Sequence, residues 1–177
     1  MSSPAVRIAP DTVRIERLLP GPIERVWDYL TDAELRGRWL ASGPMELKAG
    51  GKSELRFRHD ELSDAPGEPP ARYAEMARKG HVNHGHVLLA EPPRLLVITW
   101  DDAQDPPSEV RFELSEHGDD VRLTLTHSRL AGDDATSVSG GWHTHLDILG
   151  DRLAGRAPPN FWEAHRANAA LYGERDA

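Results

Sequence analysis

Residues 110–150 read VRFELSEHGDDVRLTLTHSRLAGDDATSVSGGWHTHLDILG, and this stretch decides the fold. Val110, Phe112 and Leu114 alternate with Arg111 and Glu113. After the turn His117-Gly118-Asp119-Asp120, Val121, Leu123, Leu125 and His127 alternate with Arg122, Thr124 and Thr126. Successive side chains of a strand point to opposite faces, so each run is a strand with one apolar and one wet face. The short turn joins them as an antiparallel hairpin. A polar loop follows. Gly140-Gly141 then opens the longest helix on this reading, with Trp142, His145, Leu146, Leu149 and Leu153 recurring every three or four residues. A sheet wet on one face must cover the other, and this helix is the natural cover.

The same alternation extends toward the N-terminus. Arg94 to Trp100 reads as a strand set off by Pro92-Pro93, and His81 to Leu89 as another. Leu55, Phe57 and His59 alternate with Glu54, Arg56 and Arg58, after Met45 and Leu47 have led into the hairpin signal Ala49-Gly50-Gly51. Asp60 to Ala71 is rich in Pro, Gly and acids and reads as an exposed loop, with one or two helical turns over Arg72 to Arg78. Further upstream, Val13, Ile15 and Leu18-Leu19 mark a half-buried strand that Pro20-Gly21-Pro22 stops. Ile23, Val26, Trp27 and Leu30 then give one apolar helix face. Thr31 and Glu34 stand three apart, as in a capping box. A second short helix is therefore expected from Asp32, carrying Leu35, Trp39 and Leu40.

Downstream of the long helix, Pro158-Pro159 is a break and Asn160 can cap a last helix, Phe161 to Tyr172. The expected organisation is a loose lead-in at 1–11, one domain at 12–155, and an extension with an added helix at 156–177. The class is α+β: one strand, two short helices, an antiparallel meander, then a long helix. A strongly curved sheet cannot close tightly on a straight helix, so a ligand-sized gap is expected between them.

The bulk properties narrow the function classes. The 177 residues suit one domain. With no cysteine, the chain has no disulfide, thiolate metal site or cysteine nucleophile. Its net charge of -8, with Lys and Arg scattered among acids, argues against nucleic acid as a partner. The start MSSPAVRIAPD lacks the features of a secretory signal, and the apolar segment Leu95 to Trp100 is too short to span a bilayer, so a cytoplasmic location is expected. No Gly-x-Ser-x-Gly elbow, phosphate-binding glycine loop, His-Glu-x-x-His or cofactor signature is present.

Taken in order, these pieces resemble a known superfamily. Val26-Trp27, Trp39-Leu40, Gly50-Gly51, Pro92-Pro93-Arg94-Leu95, Thr99-Trp100, Leu123-Thr124-Leu125-Thr126-His127 and Gly140-Gly141-Trp142 with Leu146 and Leu149 are similar to the SRPBCC (START-like) superfamily. Within it they are similar to the group related to the C-terminal domain of the activator of the heat-shock protein 90 ATPase. The resemblance covers about residues 12–155. It implies the helix-grip, Bet v-like fold, in which a curved antiparallel sheet wraps a long C-terminal helix. It often implies a hydrophobic cavity, and relatives bind lipids, sterols or polyketide-like molecules or act as cyclases.

Trp39, Trp100, Phe112, Leu125, His127, Trp142, Leu146 and Leu149 are the candidate cavity residues. For most of them a packed core is the better explanation, because inward apolar residues need no ligand to account for them. His127 extends the apolar register of its strand and so should point inward, where an imidazole can orient a ligand, move a proton, or simply be satisfied by a structural partner. His84 and His86 share a strand face and are the candidate metal ligands, against a bland reading as surface histidines. Phe161, Trp162 and Tyr172 can dock on their own domain, close the cavity mouth or form a homodimer contact. Three functions remain open at this stage. The first is a binder of a small hydrophobic molecule without a cofactor. The second is a cyclase- or hydrolase-type enzyme using a pocket histidine. The third is a protein-interaction module, such as a partner of a chaperone or transcription regulator.

Overall fold

A computed structural model describes residues 2–174. Seven strands, β1 (Val6–Ala9), β2 (Thr12–Pro20), β3 (Lys52–Phe57), β4 (His81–Glu91), β5 (Leu95–Thr99), β6 (Glu109–His117) and β7 (Asp120–Ser128), form one antiparallel sheet. Their spatial order is β1-β2-β7-β6-β5-β4-β3. Between β2 and β3 lie α1 (Ile23–Thr31) and α2 (Ala33–Gly37). A short α3 (Ala74–Lys79) precedes β4, and α4 (Asp134–Leu153) and α5 (Phe161–Leu171) follow β7. This is the helix-grip arrangement, a curved sheet against the long helix α4.

The register delivers the inward set that the alternation predicts. Ile15 pairs with Leu125, which pairs with Phe112, and Val13 and Val110 both pair with His127. All six are buried, as are Leu146 and Leu149 on α4. Each such aliphatic or aromatic side chain contributes roughly 1.5–3 kcal/mol by leaving water. On β4 an extra residue separates the pairs Val87↔Ile98 and Leu89↔Val97, a bulge of the kind that bends a strand and increases its twist.

Several boundaries differ from the sequence reading. Residues 6–9, expected as loose lead-in, form β1 on the edge of the sheet; Val6 and Ile8 stay exposed, so no apolar face announced the strand. Met45 makes only an isolated bridge to Ser53. The cap of α2 is Asp32 itself, whose carboxylate accepts from the backbone N–H of Glu34 and Leu35, while the Thr31 hydroxyl turns back to the carbonyl of Trp27. Trp39 and Leu40 therefore lie beyond α2 and not on it.

The largest difference is the start of α4. It begins at Asp134, and Gly140-Gly141 sit inside it. Ala135 and Ser139 in its first turns are buried, and the Ser139 hydroxyl donates to the Ala135 carbonyl, so a polar run is accommodated without an orphaned hydroxyl. Gly140 has a packing role: a Cβ there would lie 3.1 Å from Cα and 3.2 Å from Cβ of Ala169 on α5. Asn160 caps α5 as expected, accepting from the N–H of Trp162 and Glu163. Phe161 and Trp162 are buried against the rest of the chain, docked on their own domain. Among the described residues, no helix is long and apolar enough to cross a membrane.

Candidate functional site

A space of about 270 Å³ remains where the concave sheet meets the middle of α4. Its inner wall is aromatic. Trp100, just past β5, lies 5.0 Å from Trp142 of α4 and 5.7 Å from Phe57 of β3, centroid to centroid. Its mouth is rimmed by exposed or half-buried polar groups, His81, Asp101 and Gln104. Gly141 forms part of the helix side, and a Cβ built on it meets no atom within 4 Å. The absence of a side chain on α4 is thus part of what keeps the space open.

Of the residues singled out from sequence, Trp100, His127 and Trp142 reach this cavity. Trp39, Phe112, Leu125, Leu146 and Leu149 are buried in the packed core instead. Trp39 is held there by its indole N–H, which donates to the Tyr29 carbonyl at 2.7 Å.

His127 is fully engaged. Trp142 Nε1 can only donate, so Nδ1 of His127 accepts, at 3.0 Å. Nε2 therefore carries the proton and donates to Ser108 Oγ at 2.8 Å. Burial alone holds this histidine down at about 3. A neutral ring with both nitrogens committed has no lone pair free to take a proton from a bound molecule.

His145 differs. Its Nδ1 lies 2.8 Å from the Trp39 carbonyl oxygen, which can only accept, so Nδ1 is the protonated nitrogen. Nε2 then bears a lone pair with no partner among the described residues, on a side chain that lines the cavity. Burial first, and then His59, holds His145 at about 3. His59, in a short helical turn after β3, is pushed to about 4 by burial, with His165 and His81 adding to the effect. Its ring stacks on Phe57 at 5.7 Å and packs on Phe161 at 4.5 Å. The three inner-wall histidines are therefore uncharged near neutral pH.

The same signal that singled out His127 was present at His59, a histidine extending an apolar register, but the strand ends at Phe57 and the inward turn of His59 belongs to the segment that follows. Gly141 could not be found from sequence, because its role is to leave a gap.

His84 and His86 do share a face of β4, away from the cavity. His86 Nδ1 lies 2.5 Å from an Asp102 carboxylate oxygen, whose other oxygen accepts from Thr99 Oγ1. Among the described residues, no three His, Asp or Glu side chains converge as a metal site would require.

Comparison with known proteins agrees with the fold. The family model described as Activator of Hsp90 ATPase homolog 1-like protein matches residues 20–154. A protein from Bordetella parapertussis, solved by solution NMR, is 45% identical with a TM-score of 0.80, over 99% of this chain and 93% of its own. CalU16 from Micromonospora echinospora is 26% identical with a TM-score of 0.66, over 92% of this chain and 86% of its own. A Mesorhizobium loti protein is 25% identical with a TM-score of 0.60, over 81% of this chain and 96% of its own. No curated protein matches the chain.

Proposed function

This chain belongs to the Activator of Hsp90 ATPase homolog 1-like family, and we propose that it binds a small hydrophobic molecule in the cavity between the sheet and α4. The observation that carries the reading is the space of about 270 Å³ whose inner wall is formed by the aromatic side chains Trp100, Trp142 and Phe57. It is close to the lower end of small-molecule pockets, roughly 300 Å³ and upward. It exceeds the roughly 150 Å³ that admits benzene into an engineered apolar cavity. The commitment of both His127 nitrogens to Trp142 and Ser108 supports binding over acid–base chemistry at that residue.

Native mass spectrometry of freshly purified protein tests this, with the variant Gly141→Phe as control. The phenyl ring grows from a position with free space around its Cβ and fills the cavity. A small-molecule adduct on the wild type that is absent from folded Gly141→Phe supports the reading. An adduct of equal occupancy on both places the ligand elsewhere and overturns it.

A further inference from the structure

Building on that reading, we infer that the cavity selects a neutral aromatic molecule carrying a hydroxyl group, whose O–H donates to Nε2 of His145. The tautomer of His145 decides this selectivity. The Trp39 carbonyl fixes the proton of His145 on Nδ1, 2.8 Å away, so Nε2, the other nitrogen of a ring that lines the cavity, is an acceptor and not a donor. The backbone group responsible belongs to a segment anchored by the buried indole of Trp39, so the ring has no ready alternative orientation.

Two of the nearby polar groups are already engaged, while the His59 ring, the Trp100 indole and the Asn83 amide also line the cavity. Trp142 spends its only N–H on His127, and Ser108 is engaged with the same ring. Phe57, His59, Phe161 and Trp142 surround His145 with ring faces and edges at centroid distances of 4.8 to 6.5 Å. An aromatic ligand meets favourable stacking and edge contacts there. An anion meets the lone pair of Nε2 and no cation on the inner wall. Burial keeps His59, His127 and His145 neutral, so a carboxylate finds no counter-charge. A ligand that removes this acceptor from water without offering a donor leaves it unpaired, at a free-energy cost that a hydroxyl avoids.

Three matched probes at pH 7 test the inference: 2-naphthol, a donor; 2-methoxynaphthalene, of similar shape without the donor; and 2-naphthoate, an anion. Affinities are measured by calorimetry, and the His145 ring nitrogens are followed by long-range 1H–15N NMR. The expected result is that 2-naphthol binds about tenfold or more tightly than either of the others. The unprotonated Nε2 resonance should move upfield with 2-naphthol alone. Equal binding of 2-naphthol and 2-methoxynaphthalene, both lost in Gly141→Phe, overturns the hydroxyl inference while leaving the cavity as the binding site. Tightest binding of 2-naphthoate overturns it as well. Binding of all three probes undiminished in Gly141→Phe, or of none at millimolar concentration, overturns the cavity reading and this inference together.

Discussion

The indole N–H of Trp142 donates to Nδ1 of His127 across 3.0 Å and ties α4 to β7 inside the cavity wall. The bond fixes the tautomer of His127, which directs its other nitrogen to Ser108 at 2.8 Å. A helix, a central strand and the start of β6 are thus joined by one buried polar chain. Substituting His127→Leu keeps the bulk but leaves the Trp142 N–H and the Ser108 hydroxyl unpaired. A loss of about 2–6 kcal/mol in urea unfolding is expected, at roughly 1–3 kcal/mol for each stranded group. A loss below about 0.5 kcal/mol, the level of a neutral surface change, would mean that this chain is not formed in solution.

The two adjacent glycines of α4 should respond oppositely. Gly141→Ala adds a methyl group into free space and removes the helix cost of glycine, so it should stabilise the protein by about 0.8–1 kcal/mol. Gly140→Val drives its side chain into Ala169 and should push α5 away from α4, destabilising by about 1–3 kcal/mol. Paired thermal melts check both signs; equal responses would contradict the different surroundings found for the two positions.

Arg36 is a buried cation without a carboxylate partner on its fork among the described residues. Its guanidinium donates to the carbonyls of Ala41, Leu30, Thr31 and Gly43, closing the bend from α1 through α2 into the following segment. Burial lowers it to about 10, against the opposing pull of Asp32, so it stays charged near neutrality. Arg36→Met should cost about 3–5 kcal/mol by stranding several buried carbonyls. Arg36→Lys should recover less than half of that, because a point ammonium cannot reach the carbonyls a planar fork spans. Full rescue by lysine in chemical denaturation would refute the fork geometry.

Stability should fall as the pH is lowered below about 6.5. His59 is held at about 4 and His127 and His145 at about 3, all below the ordinary imidazole value of roughly 6.5. Between those values the unfolded chain binds protons that the folded chain does not, so stability is complete above about 6.5 and is lost on the way down. At pH 5, about 1.5 pH units below the free value, each of the three histidines removes about 2 kcal/mol. Their sum is comparable with the whole stability of many domains, about 5–15 kcal/mol. Thermal midpoints measured from pH 8 to pH 5 should drop steeply below 6.5. A flat profile would contradict the neutral, buried state of these rings.

Period-two alternation with one wet face made β6, β7 and their register legible in the sequence, and the spacing of Trp142, Leu146 and Leu149 gave the covering face of α4. Burial of Val110, Phe112, Leu123 and Leu125 follows directly from those patterns. The first turns of α4 were not legible, because Thr136, Ser137 and Ser139 give no apolar period; Ser139 bonds the Ala135 carbonyl of its own helix and Gly140 packs on Ala169 of α5. At the site, Trp100, His127 and Trp142 could be named from register alone. The difference between His127, with no free nitrogen, and His145, with one, could not, because it depends on a carbonyl of Trp39 more than a hundred residues away. Likewise, Arg36 looks like an ordinary surface arginine until the chain folds around it.

Occupancy of the cavity by an aromatic molecule is read at named atoms by a 1H–15N NMR titration with 2-naphthol. Saturable shifts are predicted at the indole N–H of Trp100 and Trp142 and at the backbone of Gly141 and His145, all in the cavity wall. Those resonances staying fixed while shifts gather on the outer face, or no shift at all up to millimolar probe, would contradict it.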